Sequence, residues 1–299
     1  MGRWFSPLVA LLALGCSEPV VYVGQGVDPL ATPLTWQEHW YEHDQLLDLI
    51  ATDDAVALYY DKDVDRAQAT AFLPYVSKLW HYTIATYGSM GPGRLYAIFH
   101  KDRYLGCHSA GHFDPSHDYR NVVDCGVTTY DDPGVFQAIL PHVAAVLVEH
   151  VADERDGAPA DPLWHQGKWA EFYRYDLYLG TDMKGLADLY YGAWTADTFT
   201  DPFPVADTHW FRDWWRPLRT DTGDGPQVMV RFFRLLAEHF PRGTDTHYVR
   251  DLTWGEFVHF MSGAAAADLK PLATAAFGWP AEWETQLQQA RKDFPRVTY

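Results

Sequence analysis

The 299-residue sequence has few basic residues and no long apolar run. Lys and Arg number 23 against 40 Asp and Glu, which gives a formal net charge of −17. A nucleic-acid-binding protein needs a basic face, and charge-based adhesion to anionic lipid needs one too, so the acidic balance argues against both. No apolar run reaches the roughly 20 residues that span a bilayer. Hydrophobic residues nevertheless make up 47% of the chain, which is enough for one large core.

Several catalytic and metal-binding signatures are also missing from the sequence. It contains no G-x-S-x-G, which marks the nucleophile of many serine hydrolases. The glycine-rich segment 88–93 lacks the Lys-Ser/Thr pair of a phosphate-binding loop. Neither Cys107 nor Cys125 lies in a C-x-x-C pair, so a zinc ribbon is not indicated.

The first residues have the pattern of an export signal. Arg3 precedes a short apolar run over 8–14, which is typical of a secretory signal peptide. This run ends at Leu14-Gly15-Cys16 and resembles a bacterial lipobox, in which the cysteine is acylated and becomes the mature N-terminus. We therefore predict a lipoprotein-type signal peptide and lipidation cysteine over 1–16, followed by a tether over 17–34. The alternative is ordinary secretion with Cys16 free.

The predicted location is extracytoplasmic, with the lipid inserted in the bacterial cell membrane or outer membrane. If Cys16 carries lipid, Cys107 and Cys125 remain as an even pair in an oxidising compartment. We predict a disulfide between them, which would stabilise the fold by about 3 kcal/mol by restricting the unfolded chain. The alternative is two free thiols.

Strand patterns come first along the chain and helix patterns follow. Short apolar runs predict strands over 55–60, 95–100 and 121–130. Helical spacing of apolar residues predicts helices over 36–50 and over 67–87, the second with a break at Pro74. A polar loop is expected over 106–120. Further helices are predicted over 135–153, 163–179, 183–191, 226–240, 254–266 and 281–293.

This order predicts an α+β fold. An N-terminal mixed β-sheet with helices would occupy 35–140, and a mainly α-helical half would occupy 141–299. The segment 141–150 is apolar on nearly every side, as expected of a helix that runs through the middle of a domain. A second helix opens at 168–173 and contains the step Ala170-Glu171.

With these elements in this order, the chain resembles the gluzincin, or thermolysin-like, zinc metallopeptidases. In that family a mixed sheet precedes a buried helix with the motif H-E-x-x-H, and a Glu on a second helix is the third zinc ligand. His142 matches the first histidine and Glu171 the distal glutamate. Val143 stands at the position of the catalytic glutamate and Val146 at that of the second histidine.

The resemblance covers roughly residues 55–180 and implies a metallopeptidase-like fold with a degenerate site. A catalytic zinc ion normally has three protein ligands and a water, and no carboxylate stands where the base should be. The resemblance therefore implies a pseudoenzyme with no catalytic residue and no required cofactor. Its former active-site cleft would bind an extended peptide or a glycan. We expect no nucleic-acid partner and contact with the membrane through the lipid anchor only. The oligomeric state stays open.

Two other functions stay open. An altered ligand set of His142, His165 and Glu171 would hold zinc in an active metallohydrolase. A cell-envelope binding or structural lipoprotein unrelated to peptidases is the other alternative.

Two further segments are ambiguous. The loop 107–118 contains His108, His112 and His117 and is either a second metal site or a solvated loop. The aromatic stretch 209–217 is either core or a surface that stacks on sugar rings.

Overall fold

The computed structural model of the protein describes residues 31–62, 64–127, 133–165, 167–221 and 224–299. The predicted signal peptide, the lipidation at Cys16 and the tether up to residue 30 lie outside these described residues. None of the helices in the described part combines the length and the apolar character needed to cross a membrane.

The described residues form one mixed sheet of six strands. Their bounds are β1 Thr35–Gln37, β2 Leu46–Thr52, β3 Val56–Tyr60, β4 Leu95–Lys101, β5 Gly106–Ala110 and β6 Asn121–Val127. They lie in the order β1-β2-β3-β4-β6-β5. The pairs β3·β4 and β4·β6 are parallel, whereas the pairs β1·β2, β2·β3 and β5·β6 are antiparallel.

The two most central strands are buried on both faces. All of β3 and nearly all of β4 are inaccessible to solvent. Strands covered on both sides have continuous apolar sequences, which is why the runs 55–60 and 95–100 predicted them correctly. Helices cover one face of the sheet, and Trp36, Trp40 and Leu47 cover the other.

The segment 36–50 is not the helix that its spacing predicts. It forms β1, a turn and β2, in which Trp36 lies opposite Leu47 in an antiparallel pair. Both side chains are buried against the second face of the sheet. Tyr41 in the turn has a φ of 50°, a conformation that would interrupt a helix.

The described residues also form eleven α-helices. They are α1 Arg66–Thr70, α2 Leu73–Tyr87, α3 Pro133–Val151, α4 Asp161–Trp164, α5 Gly167–Gly180, α6 Lys184–Trp194, α7 Arg216–Asp221, α8 Gln227–His239, α9 Trp254–Ala265, α10 Lys270–Phe277 and α11 Ala281–Asp293. The predicted break is confirmed, because α1 ends at Thr70 and α2 begins at Leu73. Pro74 lies in the first turn of α2, where its missing N–H leaves no helical hydrogen bond unmade. A π-helical turn, Trp210–Trp215, precedes α7.

The helical half has an aromatic core. The stretch 209–217 belongs to it, because Trp210, Phe211, Trp214 and Trp215 are all at most 1% exposed. Helix α3 packs against α5 on one side and against β5 and β6 on the other. The predicted α+β fold, with an N-terminal sheet and a mainly helical C-terminal half, is therefore confirmed.

Candidate functional site

Strand β5 is at the edge of the sheet, and α3 lies beside it. In the described chain β5 pairs with β6 on one side and with no strand on the other. The polar loop expected over 106–120 is thus partly a strand. Cys107 and Cys125 form the predicted disulfide across the β5·β6 pair, with an S–S distance of 2.16 Å.

The spacing of this pair shows which backbone groups of β5 point away from the sheet. The Cα atoms of Cys107 and Cys125 are 4.1 Å apart. Residues that face each other without exchanging hydrogen bonds are about 4.5 Å apart in antiparallel sheets, against about 5.5 Å for hydrogen-bonded pairs. Cys107 therefore does not bond to β6 through its backbone, and neither does Ser109, two residues further along. The N–H and C=O groups of both residues are directed to the outer edge.

Two adjoining pockets lie along β5, and together they are called the β5–α3 groove here. The first has a volume of about 320 Å³ and is lined by Tyr41, Cys107, His108, Ser109, His142, Val143, Val146 and His150. The second, of about 430 Å³, shares Tyr41, Ser109 and His150 with the first and continues to Phe113, Asp114 and Asp156. The groove therefore follows the length of the strand.

Charge is sparse in the first pocket. No carboxylate is among the described residues that line it. Burial, with a smaller contribution from the positive charge of Arg174, lowers the pKa of His142. Burial likewise lowers the pKa of His108. Both imidazoles are thus neutral at pH 7, and the pocket offers hydrogen-bonding groups and valine side chains rather than ions.

The residues matched to metallopeptidase ligands have different surroundings. His142 lies near the start of α5, since a Cβ atom at Gly167 would be 3.8 Å from its Cε1. Glu171 is buried in α5 and accepts a hydrogen bond of 2.6 Å from Nζ of Lys168. Burial raises the pKa of Glu171 to about 7, although Lys168 acts in the opposite direction. His165 is exposed, and its ring packs against Phe203 with centroids 4.3 Å apart.

The described residues contain one group of three or more metal-ligating side chains with ligand atoms within 4.8 Å of one another, and His142, His165 and Glu171 are not in it. Lys168 also holds Asp201 at 2.8 Å, so Glu171 belongs to a three-residue ion-pair network. The assignment of a metal to His142, His165 and Glu171 stays a prediction.

The loop 107–118 brings together two of its three histidines. Nε2 of His108 and Nε2 of His117 are 3.1 Å apart. His112 is directed elsewhere, with its Nδ1 3.3 Å from Oδ1 of Asn121. Asp114 caps the short 3-10 helix Pro115–His117 by accepting a hydrogen bond from the backbone of Ser116. The loop as a whole is therefore not one ligand cluster.

The group that does meet the 4.8 Å criterion contains residues that sequence reasoning missed. Glu38, His43, His100 and Asp124 converge on the face of the sheet that Trp36 and Trp40 cover. Burial alone lowers the pKa of His100, but the hydrogen bonds and charges of Asp124 and other carboxylates raise it to about 11. Burial raises the pKa of Asp124, but His100 and His43 hold it below its usual range. The signal in the sequence was one polar residue in each of two apolar strands, His100 in β4 and Asp124 in β6.

Comparison of the sequence with protein-family models and with curated proteins gives no match. The resemblance to gluzincins therefore stays a prediction, and the function is argued from the groove.

Proposed function

We propose that this protein binds an extended peptide in the β5–α3 groove and does not hydrolyse it. The observation that carries the proposal is the outer edge of β5, where Cys107 and Ser109 direct backbone groups toward the groove. An added strand would pair with these groups, while its alternate side chains enter the two pockets. Main-chain bonds would supply affinity, and the pockets would supply selectivity.

A peptide fits this groove better than a glycan. Sugar rings are usually held on flat aromatic side chains, and the aromatic stretch 209–217 is buried in the core. In the groove, the pockets present Tyr41, which is 79% exposed, and Phe113, which is half-buried. The sheet edge, in contrast, is the surface that an extended backbone recognises.

The residues of the first pocket favour binding without hydrolysis. Val143 and Val146 line it, and neither side chain can hold a metal or activate a water. The carboxylate of Glu171 is paired with Lys168. The second pocket does contain Asp114 and Asp156, but Asp114 caps a helix and Asp156 pairs with His247 at 3.1 Å.

The predicted lipidation at Cys16 belongs to the same proposal. An acylated N-terminus followed by a tether would hold the groove outside the membrane that carries the lipid. The protein would then capture peptide segments in the cell envelope.

Ser109 allows a direct test of the strand-addition model. Ser109→Pro removes an outward backbone N–H but no β5·β6 hydrogen bond, and proline is tolerated on an edge strand at such a position. Ser109→Ala keeps the N–H and is the matched control. Extended peptides would be selected from a random library on the purified full-length chain, and their affinities measured by fluorescence anisotropy.

We expect Ser109→Pro to weaken binding about tenfold, because one hydrogen bond is lost and the ring crowds the groove. Ser109→Ala should bind as the native protein does. Mass spectrometry of the incubated peptides should show intact chains. Equal affinity of the proline variant and the native protein, or cleavage that a chelator abolishes, would contradict the proposal.

A further inference from the structure

We propose that Glu38, His43, His100 and Asp124 form a binding site for one divalent transition-metal ion, with zinc as the ion to test. This site is distinct from the β5–α3 groove and does not depend on the proposed function. Its ligands come from three parts of the sheet. Glu38 and His43 lie in the connection between β1 and β2, His100 near the end of β4, and Asp124 in β6.

One donor atom of each of the four residues lies within 4.8 Å of the others, and both oxygens of Asp124 face an imidazole. Nε2 of His100 is 2.9 Å from Oε1 of Glu38 and 3.1 Å from Oδ1 of Asp124. Nδ1 of His43 is 3.0 Å from Oδ2 of Asp124 and 3.4 Å from Oε1 of Glu38. Ligand atoms at 2.0–2.1 Å from a tetrahedral zinc ion are about 3.3 Å from one another. A small outward shift of these atoms would therefore admit the ion between them.

Groups around the ligands hold them in this orientation. The second ring nitrogen of His100, Nδ1, is 3.5 Å from Oδ2 of Asp61. The indole N–H of Trp40 donates to Oδ2 of Asp124 at 3.0 Å, and the backbone N–H of Gln45 donates to Oε2 of Glu38 at 2.9 Å. A carboxylate behind a histidine and a donor behind each carboxylate are typical of metal centres, where they fix the ligand orientation.

The backbone also constrains this region. The chain at residues 103–104 passes so close to Gly126 that a Cβ atom there would lie 1.9 Å from the carbonyl oxygen of Tyr104. This approach places the Tyr104 ring against that of His43, with centroids 3.6 Å apart and an angle of 11° between the planes. The imidazole of His43 is thus held beside the cluster although it belongs to a connecting segment.

The donor set and the burial select the class of ion. Two imidazoles and two carboxylates suit zinc and similar transition metals, whereas calcium takes six to eight oxygen ligands. With both histidines neutral, the two carboxylates carry a charge of −2, which a divalent ion would balance. Glu38, His100 and Asp124 are at most 2% exposed. Four protein ligands in a closed site indicate a structural ion rather than a catalytic one.

An ion at this position would join the β1–β2 connection to the centre of the sheet. That connection also carries Tyr41, which lines both pockets of the groove. The alternative is a cluster held by ion pairs alone, with protonated histidines in place of the metal. That alternative predicts no uptake of metal by the folded protein.

The test uses the purified full-length chain without a histidine tag, first treated with a chelator and then dialysed against zinc. We expect one equivalent of zinc per chain by elemental analysis, a higher midpoint of thermal unfolding, and visible absorption of tetrahedral cobalt after replacement by Co²⁺. His43→Gln should weaken zinc binding at least tenfold and remove the cobalt spectrum. His39→Gln is the matched control, since His39 lies in the same connection, 3.5 Å from Asp118, and outside the cluster.

Asp124→Asn serves as a second variant, and circular dichroism establishes whether each variant is folded. Because the His43 side chain is 12% exposed in a connecting segment, His43→Gln should fold. A folded native protein that takes up neither zinc nor cobalt would overturn the proposal. Undiminished zinc binding by folded His43→Gln would overturn it as well.

Discussion

Glu149 makes the stability of this protein depend on pH in a direction opposite to that of an ordinary carboxylate. Its side chain lies in α3, is 3% exposed, and accepts a hydrogen bond of 2.6 Å from the indole of Trp164. Burial, helped by the charge of Asp161, raises the pKa of Glu149 well above 4.5. The folded protein therefore keeps a proton that the unfolded chain releases. Above a pH of about 4.5 folding takes up this proton, and stability falls as the pH rises toward the folded pKa.

The size of the effect follows from linkage. One proton taken up on folding changes the free energy of unfolding by about 1.4 kcal/mol per pH unit. Glu149→Gln keeps the volume and the acceptor for Trp164 but cannot ionise. We therefore expect its stability relative to the native protein to increase by about 1.4 kcal/mol for each pH unit from about pH 5 up to the folded pKa of Glu149.

Urea unfolding at several pH values in that interval measures this difference. The exposed Glu282→Gln is the control, and its stability relative to the native protein should not change with pH in the same way. A difference between Glu149→Gln and the native protein that stays constant over the interval would refute the reasoning. It would mean that the carboxylate is already ionised in the folded state.

Three further perturbations test other contacts. Burial alone raises the pKa of Glu256, but the hydrogen bonds from Arg250 and from the N-terminus of α9 outweigh burial and lower it. The ionised side chain of Glu256 therefore stabilises the fold above a pH of about 4.5. Glu256→Gln should cost about 1 kcal/mol in urea unfolding at pH 7, and a loss that persists at pH 3 would contradict this account. Asp176 is fully buried and pairs with Arg219 at 2.8 Å. Asp176→Asn should therefore lower the free energy of unfolding by about 3 kcal/mol in the same assay, and a decrease below 1 kcal/mol would contradict this expectation. Reduction of the 107–125 disulfide should lower the free energy of unfolding by about 3 kcal/mol, and an unchanged urea midpoint would show that the bridge adds nothing.

Burial explains which strands could be predicted from the sequence. Strands β3 and β4 are covered on both faces, so their sequences are continuous apolar runs. Strand β5 has the sequence Gly-Cys-His-Ser-Ala and is largely half-exposed, so it carries no apolar signal. It becomes a strand because it pairs with β6, a partner that lies more than ten residues away along the chain. The local spacing of apolar residues does not indicate pairing with a strand so far along the chain.

The segment 36–50 differs from its predicted helix for a related reason. Trp36 and Leu47 face the same side because they are partners across a hairpin, and not because of their spacing along one element. For the same reason the sequence did not reveal the group of potential metal ligands on the sheet. Glu38 and His43 can be placed near His100 and Asp124 only when the strand order and register are known. His142, Val143 and Val146 are the positions that the resemblance to the H-E-x-x-H motif singles out, and all three line the first pocket.

His108 links the two faces of the sheet. It lies opposite Asp124 in the β5·β6 register, with its Nε2 3.7 Å from Oδ2 of that residue, and it also lines the first pocket. A peptide that shifts this imidazole changes the surroundings of an ion held by Asp124. Thermodynamic reciprocity then requires that the ion alter peptide affinity by the same factor as the peptide alters ion affinity. If the proposed ion and the proposed peptide both bind, His108 is the residue through which the occupancy of one site would change the affinity of the other.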